Sequence, residues 1–364
     1  MVVVVDRKQA TRLIQALPVQ DKKEGRKMSA SSKTLEVAFP SQLESTDAQG
    51  TPAAEPAPTE AWEQAMADEN LYLIGRPTLK GFLRFVQRHA VNSTDQGTLA
   101  DEWRAAKEAV RSLQREEAGV ADGPSIGKMG PEYEPLLLDF LRDPLVRHGF
   151  NTVPTQVAFV ELDRLVVYQK RIDLTFVRQL ESKLGPAPSQ EQVFRFCLPF
   201  DHPQPPVKWC RVHPDKYVFV SPSNDLRFLG VMPLEPSHLK DYQPHGNLVS
   251  VVGIAVGFGP NFLNAVYAEN RLILNNGNHR AYALRNLGIT HAPCIIQHVS
   301  TRDELDVVAA SRVRSDPDLY LKHPRPMMLK DYFNPKLHKA LPVHRRLRQV
   351  VVQFAAEESY APGL

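Results

Sequence analysis

Cysteine and long apolar runs are both scarce in this chain. Three of its 364 residues are cysteines, Cys197, Cys210 and Cys294, and their odd number and irregular spacing exclude the disulfide framework of a small secreted domain. The longest apolar run, 248–258, is broken by glycines and is too short to span a bilayer, and Val2–Val5 is too short for a signal-peptide core. We therefore expect reduced thiols, a cytoplasmic location and no membrane partner.

A strong charge of either sign is also lacking. The chain has 44 Lys and Arg residues against 41 Asp and Glu residues, which gives a net charge of +3. Because nucleic-acid-binding surfaces depend on clustered charge, this balance leaves the partner open. The densest basic run comprises Lys336, His338, Lys339, His344, Arg345, Arg346 and Arg348. Such a run is either a solvated face or a surface for a phosphate backbone, and Pro335 and Pro342 interrupt any helix-turn-helix in this region.

Composition and periodicity divide the chain into four parts. Residues 1–61 are rich in Lys, Ser, Thr, Ala, Pro and Glu, a composition that predicts a disordered tail because it cannot offset the entropy of ordering. Apolar residues at helical spacing predict a helical segment over 62–150. Over 151–315 the apolar pattern predicts alternating strands and helices, with a proline-rich insertion at about 186–245. For 316–364 we predict a basic helical extension.

The most informative stretch is 271–298. Leu272–Leu274 predict a strand, Asn275–Gly277 predict a turn, and the apolar spacing from Ala281 to Leu287 predicts a helix. The turn therefore brings Asn278, His279 and Arg280 to a helix N-terminus. Free backbone N–H groups and the positive end of the helix dipole favour an anion there, and the Arg fork matches phosphate oxygens. We expect a phosphate-bearing ligand at this turn.

Residues 276–293 resemble the Gly-x-His-Arg element of the ParB/sulfiredoxin superfamily, whose loop and helix hold nucleotide phosphates. A second stretch, 159–184, is similar to the family's opening strand, Gln-x-Arg segment and first helix, and 299–319 is similar to the tail of a sulfiredoxin. The resemblance covers roughly 159–320 and implies a ParB-like N-terminal or nuclease-type domain. The site residues that it implies are Gly277, Asn278, His279 and Arg280, together with Gln169 and Arg171. It also implies a nucleoside triphosphate with Mg²⁺ as the bound cofactor.

Asn278 departs from the family pattern. Sulfiredoxins carry their reactive Cys at this position, and segregation-type ParB proteins usually carry Glu. We therefore expect neither sulfinic-acid reduction nor their style of nucleotide hydrolysis. Cys294 is a poor substitute for the missing thiol because it lies in the apolar run Ala292–Ile296.

Two groups of residues have the chemistry of metal ligands. The first comprises Cys197, His202, Cys210 and His213. Its spacing lacks the paired Cys knuckles of structural zinc sites, and Cys197 lies in an apolar run, so we do not expect zinc. The second group consists of carboxylates that flank the phosphate motif: Glu269, Asp303, Glu304 and Asp306. These carboxylates are either surface groups or candidates for a metal site or a general base.

Together these observations predict an α+β fold with a ParB/sulfiredoxin-like core, in which helices flank a small mixed sheet. We expect the protein to bind a nucleotide or another phosphate-bearing ligand at Gly277–Arg280. One alternative is an enzyme, either a nuclease or a nucleotide-dependent phosphotransferase. The other is a DNA-associated adaptor with a nucleotide switch. The base, any catalysed reaction, the pathway, the oligomeric state and the start codon stay open, and Met28 is a second candidate start.

Overall fold

Strands and helices alternate along the part of the chain that the computed structural model describes, residues 67–92, 94–235 and 246–360. The strands are β1 (Ala67–Leu73), β2 (Ile126–Gly127), β3 (Thr155–Glu161), β4 (Arg171–Asp173), β5 (Lys208–His213), β6 (Lys216–Ser221), β7 (Leu226–Leu234), β8 (Val251–Phe258), β9 (Asn264–Ala268), β10 (Arg271–Asn276), β11 (His291–His298), β12 (His338–His344) and β13 (Arg348–Gln353). The α-helices are α1 (Leu79–His89), α2 (Gln96–Glu116), α3 (Glu134–Phe140), α4 (Pro144–Gly149), α5 (Leu174–Leu184), α6 (Gln190–Cys197), α7 (Asn278–Asn286), α8 (Arg302–Val308), α9 (Ser311–Ser315) and α10 (Pro317–Leu321). The fold is mixed α+β with several small sheets, and the predicted tail over 1–61 lies outside the described residues.

A five-stranded sheet with the order β10-β9-β11-β3-β2 forms the centre of the core. β9 and β10 form a hairpin whose turn places Glu269 and Asn270 at φ values of 44° and 66°. β9 runs parallel to β11, whereas β11 and β3 are antiparallel, so the sheet is mixed. β11 is buried from Ala292 to Gln297, which explains why its sequence is almost continuously apolar.

An extended segment around Val166 lies along the outer side of β10. Val166 forms a parallel bridge with Ile273 and an antiparallel bridge with Met328. Its N–H donates to the Leu272 carbonyl at 2.9 Å, and its carbonyl accepts from Leu274 N–H at 2.8 Å. Because the two segments run in the same direction, the residues that follow each of them emerge at the same edge of the sheet, where open α/β sheets bind ligands.

Three helices pack with this sheet in one apolar core. α5 begins as predicted at Asp173, whose carboxylate accepts from Phe176 N–H at 3.0 Å, and it ends at Gly185 with a φ of 82°. α6 lies within the predicted insertion, yet Phe194 and Cys197 are fully buried in the core. The predicted insertion therefore includes a core helix, because the aromatic and thiol side chains of α6 fill space beside β11.

A second sheet has the order β12-β1-β4 and corrects two predictions. β1 shows that the segment 62–150 is not wholly helical, and β12 and β13 show that 316–364 is not a helical extension. In β12 the buried residues Leu341 and Val343 alternate with exposed neighbours, which is the period of a strand with one buried face. They pack with Tyr72 of β1 and with α1 and α2 in a separate apolar cluster.

α2 lies within the segment that was predicted to be helical. Its N-cap is Asp95, whose carboxylate accepts from Thr98 N–H at 2.8 Å. The C-terminal end of α2 is tied to the core by Arg325, which is 1% exposed and donates to Asp331 at 2.6 and 2.9 Å and to Glu117 at 2.9 Å. This paired geometry compensates the cost of burying the guanidinium.

The remaining strands form two units beside the core. β13, β6 and β5 make a three-stranded sheet, and β7 and β8 make a two-stranded ribbon. The ribbon exposes large apolar side chains, among them Leu229, Val231 and Val252 at 53%, 60% and 65% exposure. No helix within 67–92, 94–235 and 246–360 is long and apolar enough to cross a membrane.

Candidate functional site

The turn between β10 and α7 is built around Gly277. β10 ends at Asn276 and α7 begins at Asn278, so the predicted strand-to-helix junction is confirmed. Gly277 is the N-cap with φ 91° and ψ 22°, a left-handed conformation that residues with a Cβ adopt at a cost. A Cβ at this position would lie 2.7 Å from Cδ1 and 3.1 Å from Cα of Leu263. Only glycine fits here without a shift of the neighbouring strand.

Two asparagine side chains hold the turn. Asn276 Oδ1 accepts from Gly277 N–H at 2.9 Å, and its Nδ2 donates to the Pro260 carbonyl at 3.1 Å. Asn275 accepts from Ala310 N–H at 2.9 Å, which fixes the start of α9 beside the turn. The Asn275 carbonyl accepts from the Tyr168 hydroxyl at 2.7 Å. The turn is thus preorganised by side chains rather than by sheet pairing alone.

The first turn of α7 has free donors. The first bond of the helix runs from Ala281 N–H to the Gly277 carbonyl at 2.9 Å, and no side chain caps the helix. The backbone N–H groups of Asn278, His279 and Arg280 therefore lack a hydrogen-bond partner within the described residues. Three such donors at the positive end of a helix dipole form an anion-binding arrangement.

Asn278 adds a buried acceptor without a partner. Its side chain is 4% exposed, and Oδ1 has no hydrogen bond to any described residue. Gln169 Oε1 is buried and unpartnered in the same sense. A buried polar atom without a partner costs free energy, on the order of 1–3 kcal/mol, and points to a missing ligand atom or water. Two of the six predicted site residues carry such an atom.

His279 has a packing role. Its Nε2 accepts from Asp173 N–H at 3.1 Å, and its ring makes an edge contact with Phe176 at 5.4 Å between centroids. Burial, aided by the Arg171 charge, lowers the pKa of His279 to about 4. The ring is therefore neutral at pH 7 and carries its hydrogen on Nδ1. The acceptor nitrogen of the ring is thus occupied by the backbone N–H of the residue that caps α5.

Arg280 points away from His279 towards the loop before β9. Nη1 donates to the backbone carbonyl and to Oδ1 of Asn261, the latter at 3.0 Å. Burial lowers the pKa of Arg280, and the neighbouring Cys197 and Asp225 partly oppose this shift. Nε and Nη2 have no partner within the described ranges, so one edge of the guanidinium is free for a phosphate.

Gln169 and Arg171 follow the Val166 segment at the same edge of the sheet. The guanidinium of Arg171 lies 5.4 Å from the centre of the Phe85 ring. Burial and the charge of Arg346 lower the pKa of Arg171 to about 10. The charge of Arg171 acts on the ring of His279, so Arg171 lies near the first turn of α7.

Sequence reasoning missed Tyr168, Lys170 and Arg312 at this edge. Lys170 lies between two predicted site residues, and that position alone is a usable signal. Arg312 belongs to α9 and lies more than 30 residues after the turn. It reaches the site because the Asn275 side chain binds the backbone at Val308 and at Ala310, on both sides of the α8–α9 connection. No local pattern in the sequence indicates this bond.

The fold separates the potential metal ligands. No group of three His, Cys, Asp or Glu residues that could hold an ion occurs in the described ranges. Cys197 is buried and its pKa is raised to about 12 by burial, whereas Cys210 is exposed. Glu269 pairs with Arg302 at 2.7 Å in the turn that precedes β10, at the opposite end of this strand from Gly277. Glu269 thus flanks the phosphate motif in sequence but lies at the other end of β10.

The basic run over 336–348 is also divided by the fold. Three of its cations have partners: Lys339 pairs with Glu102 (2.6 Å), Arg345 with Asp68 (3.1 Å), and Arg348 with the Leu226 carbonyl (3.1 Å). Among the described residues, Arg346 makes one side-chain hydrogen bond, which joins its Nη1 to His89 Nε2 at 3.3 Å. These residues therefore do not form one cationic surface.

Comparisons with known proteins add nothing to this geometry. No family model, no curated protein and no solved structure matches the chain. The functional conclusion therefore depends on the site itself and on the resemblance described above.

Proposed function

We propose that this protein binds a nucleotide, with its phosphate group at the N-terminus of α7. The observation that carries the proposal is the row of free N–H groups at Asn278, His279 and Arg280, held by a turn that only glycine can make. Such donors need no reorganisation when an anion arrives. The free edge of Arg280 supplies a charged pair of donors beside them.

The buried acceptor of Asn278 suits a ligand that supplies a hydrogen-bond donor beside its anionic group. Oδ1 has no hydrogen bond to any described residue and requires such a donor. A nucleotide offers phosphate oxygens to the helix N-terminus and donors from its ribose hydroxyls or base amino groups. The resemblance of 159–320 to the ParB/sulfiredoxin superfamily, in which an equivalent element holds nucleotide phosphates, supports the same ligand class.

The test is calorimetric titration of the four nucleoside triphosphates, with and without Mg²⁺, against wild type and three variants. Arg280→Ala removes the fork and should weaken binding by about 1.5–3 kcal/mol, roughly 10- to 100-fold. Arg280→Lys keeps the charge without the fork and should lie between wild type and Arg280→Ala. Arg285→Ala is the matched control on the same helix, because Arg285 is engaged by Asp163 at 2.8 Å.

Thermal midpoints measured beside the titrations separate binding from folding. Equal affinities in all four proteins, or no binding of any nucleotide by folded wild type, would refute the proposal. Release of diphosphate or phosphate from a bound nucleotide would identify the enzymatic alternative, in which the same site performs phosphoryl transfer or nuclease chemistry. Binding without turnover would identify a nucleotide sensor.

A further inference from the structure

A set of direct contacts leads from the α7 site to the surface near the C-terminus. Arg171 lies over Phe85 at 5.4 Å, and the ring centroids of Phe85 and His89 are 5.0 Å apart. Arg346 Nη1 lies 3.3 Å from His89 Nε2. The charge of Arg346 is among the causes that lower the pKa of Arg171, after burial. Arg171 and Arg346 therefore contact two rings, Phe85 and His89, that pack against each other.

Two further cations lie beside Arg171. Lys170 is adjacent in sequence and exposed, and Arg312 is exposed on α9, whose start Asn275 holds against the turn. Burial lowers the pKa of Lys170, and the charge of Arg312 lowers it further. We call Arg312, Lys170, Arg171 and Arg346 the cationic strip.

The members of the strip lack acidic partners. None of them forms an ion pair, and Lys170, Arg171 and Arg312 donate no side-chain hydrogen bond to any residue of the described ranges. Their neighbours differ: Arg345 pairs with Asp68 at 3.1 Å, and Arg314 donates to the Asp306 carbonyl at 3.2 Å.

Two carboxylates face the strip and are occupied. Asp68 is engaged by Arg345, and Asp173 caps α5. The four cations of the strip outnumber these two charges, and unpaired arginines this close to one another repel unless an anion lies between them. The surface thus has an excess of positive charge that the fold itself does not neutralise.

We propose that the cationic strip binds the phosphodiester backbone of single-stranded nucleic acid and that this strand leads to the N-terminus of α7. Successive phosphates would contact Arg346, Arg171, Lys170 and Arg312, one phosphate for each cation. The planar guanidinium groups of the strip match phosphate oxygens with two parallel hydrogen bonds. We therefore assign the strip to phosphates rather than to the carboxylates of a peptide.

Aromatic rings beside the strip favour a single strand over a duplex. Phe176 is 40% exposed and lies 5.4 Å from His279 at the α7 end, and Phe85 lies beneath Arg171. Unpaired bases stack on such rings, whereas the bases of a duplex are covered by their neighbours. Phe176 is the exposed ring on which an unpaired base would stack at the α7 end of the strip, whereas Phe85 supports Arg171 from below.

The inference rests on the proposed function only at its α7 end. Arg280 should govern mononucleotide binding, whereas Arg346 and Arg312 should govern strand binding and leave mononucleotide binding nearly unchanged. The two proposals can therefore fail separately.

The experiment measures fluorescence anisotropy of a labelled oligo(dT) of about 20 nucleotides with the full-length protein at several salt concentrations. Four phosphate contacts predict a slope near −2.8 in log affinity against log salt, from about −0.7 per contact for single strands. Affinity should thus fall roughly 50-fold between about 50 and 200 mM salt. A duplex of the same length, a poly-glutamate peptide and anionic vesicles serve as competitors.

Matched variants locate the contacts. Arg346→Ala and Arg312→Ala should each lower the slope by about 0.7, which reduces the salt effect to roughly 20-fold. Arg348→Ala and Arg314→Ala remove the same charge at nearby positions whose side chains donate to backbone carbonyls, and their slopes should stay close to wild type. Phe176→Leu should weaken binding of the single strand at unchanged slope.

Three results would overturn the proposal. Equal losses in Arg348→Ala and Arg346→Ala would show only a response to net charge. Equal binding of the duplex would refute the single-strand assignment, and stronger competition by poly-glutamate or vesicles would refute nucleic acid as the partner. Absence of strand binding by a protein that still binds mononucleotides would refute the strip and leave the α7 site standing.

Discussion

Replacement of Gly277 by alanine tests the turn on which the site depends. At φ 91° an alanine would occupy the left-handed region, which costs roughly 1–2 kcal/mol for a residue with a Cβ. The new Cβ would also lie 2.7 Å from Leu263 Cδ1 and 3.1 Å from Leu263 Cα. Overpacking of this kind adds about 1–3 kcal/mol. The expected loss in free energy of unfolding is therefore about 2–5 kcal/mol.

Gly288, two residues after α7, provides the matched control. Its φ is 83°, but a Cβ there would meet nothing within 4 Å. Gly288→Ala should thus lose only the conformational part, roughly 1–2 kcal/mol, and should bind nucleotide as wild type does. Gly277→Ala should also bind more weakly, because a shifted turn misaligns the free N–H groups.

Urea unfolding of both variants measures the difference, provided that the m-values stay equal. A double-mutant cycle with Leu263→Ala then isolates the contact, because removal of the leucine branch relieves the shorter of the two distances. If Gly277→Ala and Gly288→Ala lose the same free energy, or if no coupling to Leu263 is found, the close-packed turn described here is wrong.

The remaining predictions concern titration and thiol chemistry. Folding lowers the pKa of His279 from 6.5 to about 4, so the folded state favours the neutral ring. The stability that this ring contributes is therefore complete above pH 6.5. It falls by on the order of 3 kcal/mol as the pH drops to 4. His279→Gln should flatten this part of the stability curve measured by urea titration at each pH, and an unchanged curve would contradict a buried neutral ring. In the native protein, iodoacetamide should modify Cys210 within minutes and leave the other two thiols intact, because burial raises the pKa of Cys197 and Cys294. Peptide mapping that finds Cys294 modified as fast as Cys210 would show that the β11 core opens readily.

Local signals in the sequence predicted the elements around the site. The strand β10, the Gly277 junction and the helix α7 each depend on residues within about ten positions of one another. The same signals predicted the free helix N-terminus. They are reliable here because glycine and capping side chains act on the backbone next to them.

Features that depend on distant partners escaped the sequence analysis. β1 and β12 pair across about 270 residues, and neither strand has a turn signal that indicates the other. α6 is amphipathic and precedes a proline-rich stretch, so nothing local shows that Phe194 lies in the main core. The position of Arg312 depends on a side-chain bond from Asn275, and the division of the basic run depends on strand alternation in a region expected to be helical.

The central place of β1 in its sheet has a consequence for synthesis of the protein. β1 leaves the ribosome before either of its neighbours, because β4 follows about 100 residues later and β12 about 270 residues later. At translation rates of about 5–20 residues per second, β1 waits on the order of 15–50 s for its second partner. During that interval the apolar side chains of Leu71 and Leu73 have no complete sheet to pack in. A stalled or truncated chain that ends before His338 would lack β12 and would leave one whole edge of β1 unpaired. We therefore expect chaperones and proteases to recognise an unfinished molecule first at this strand.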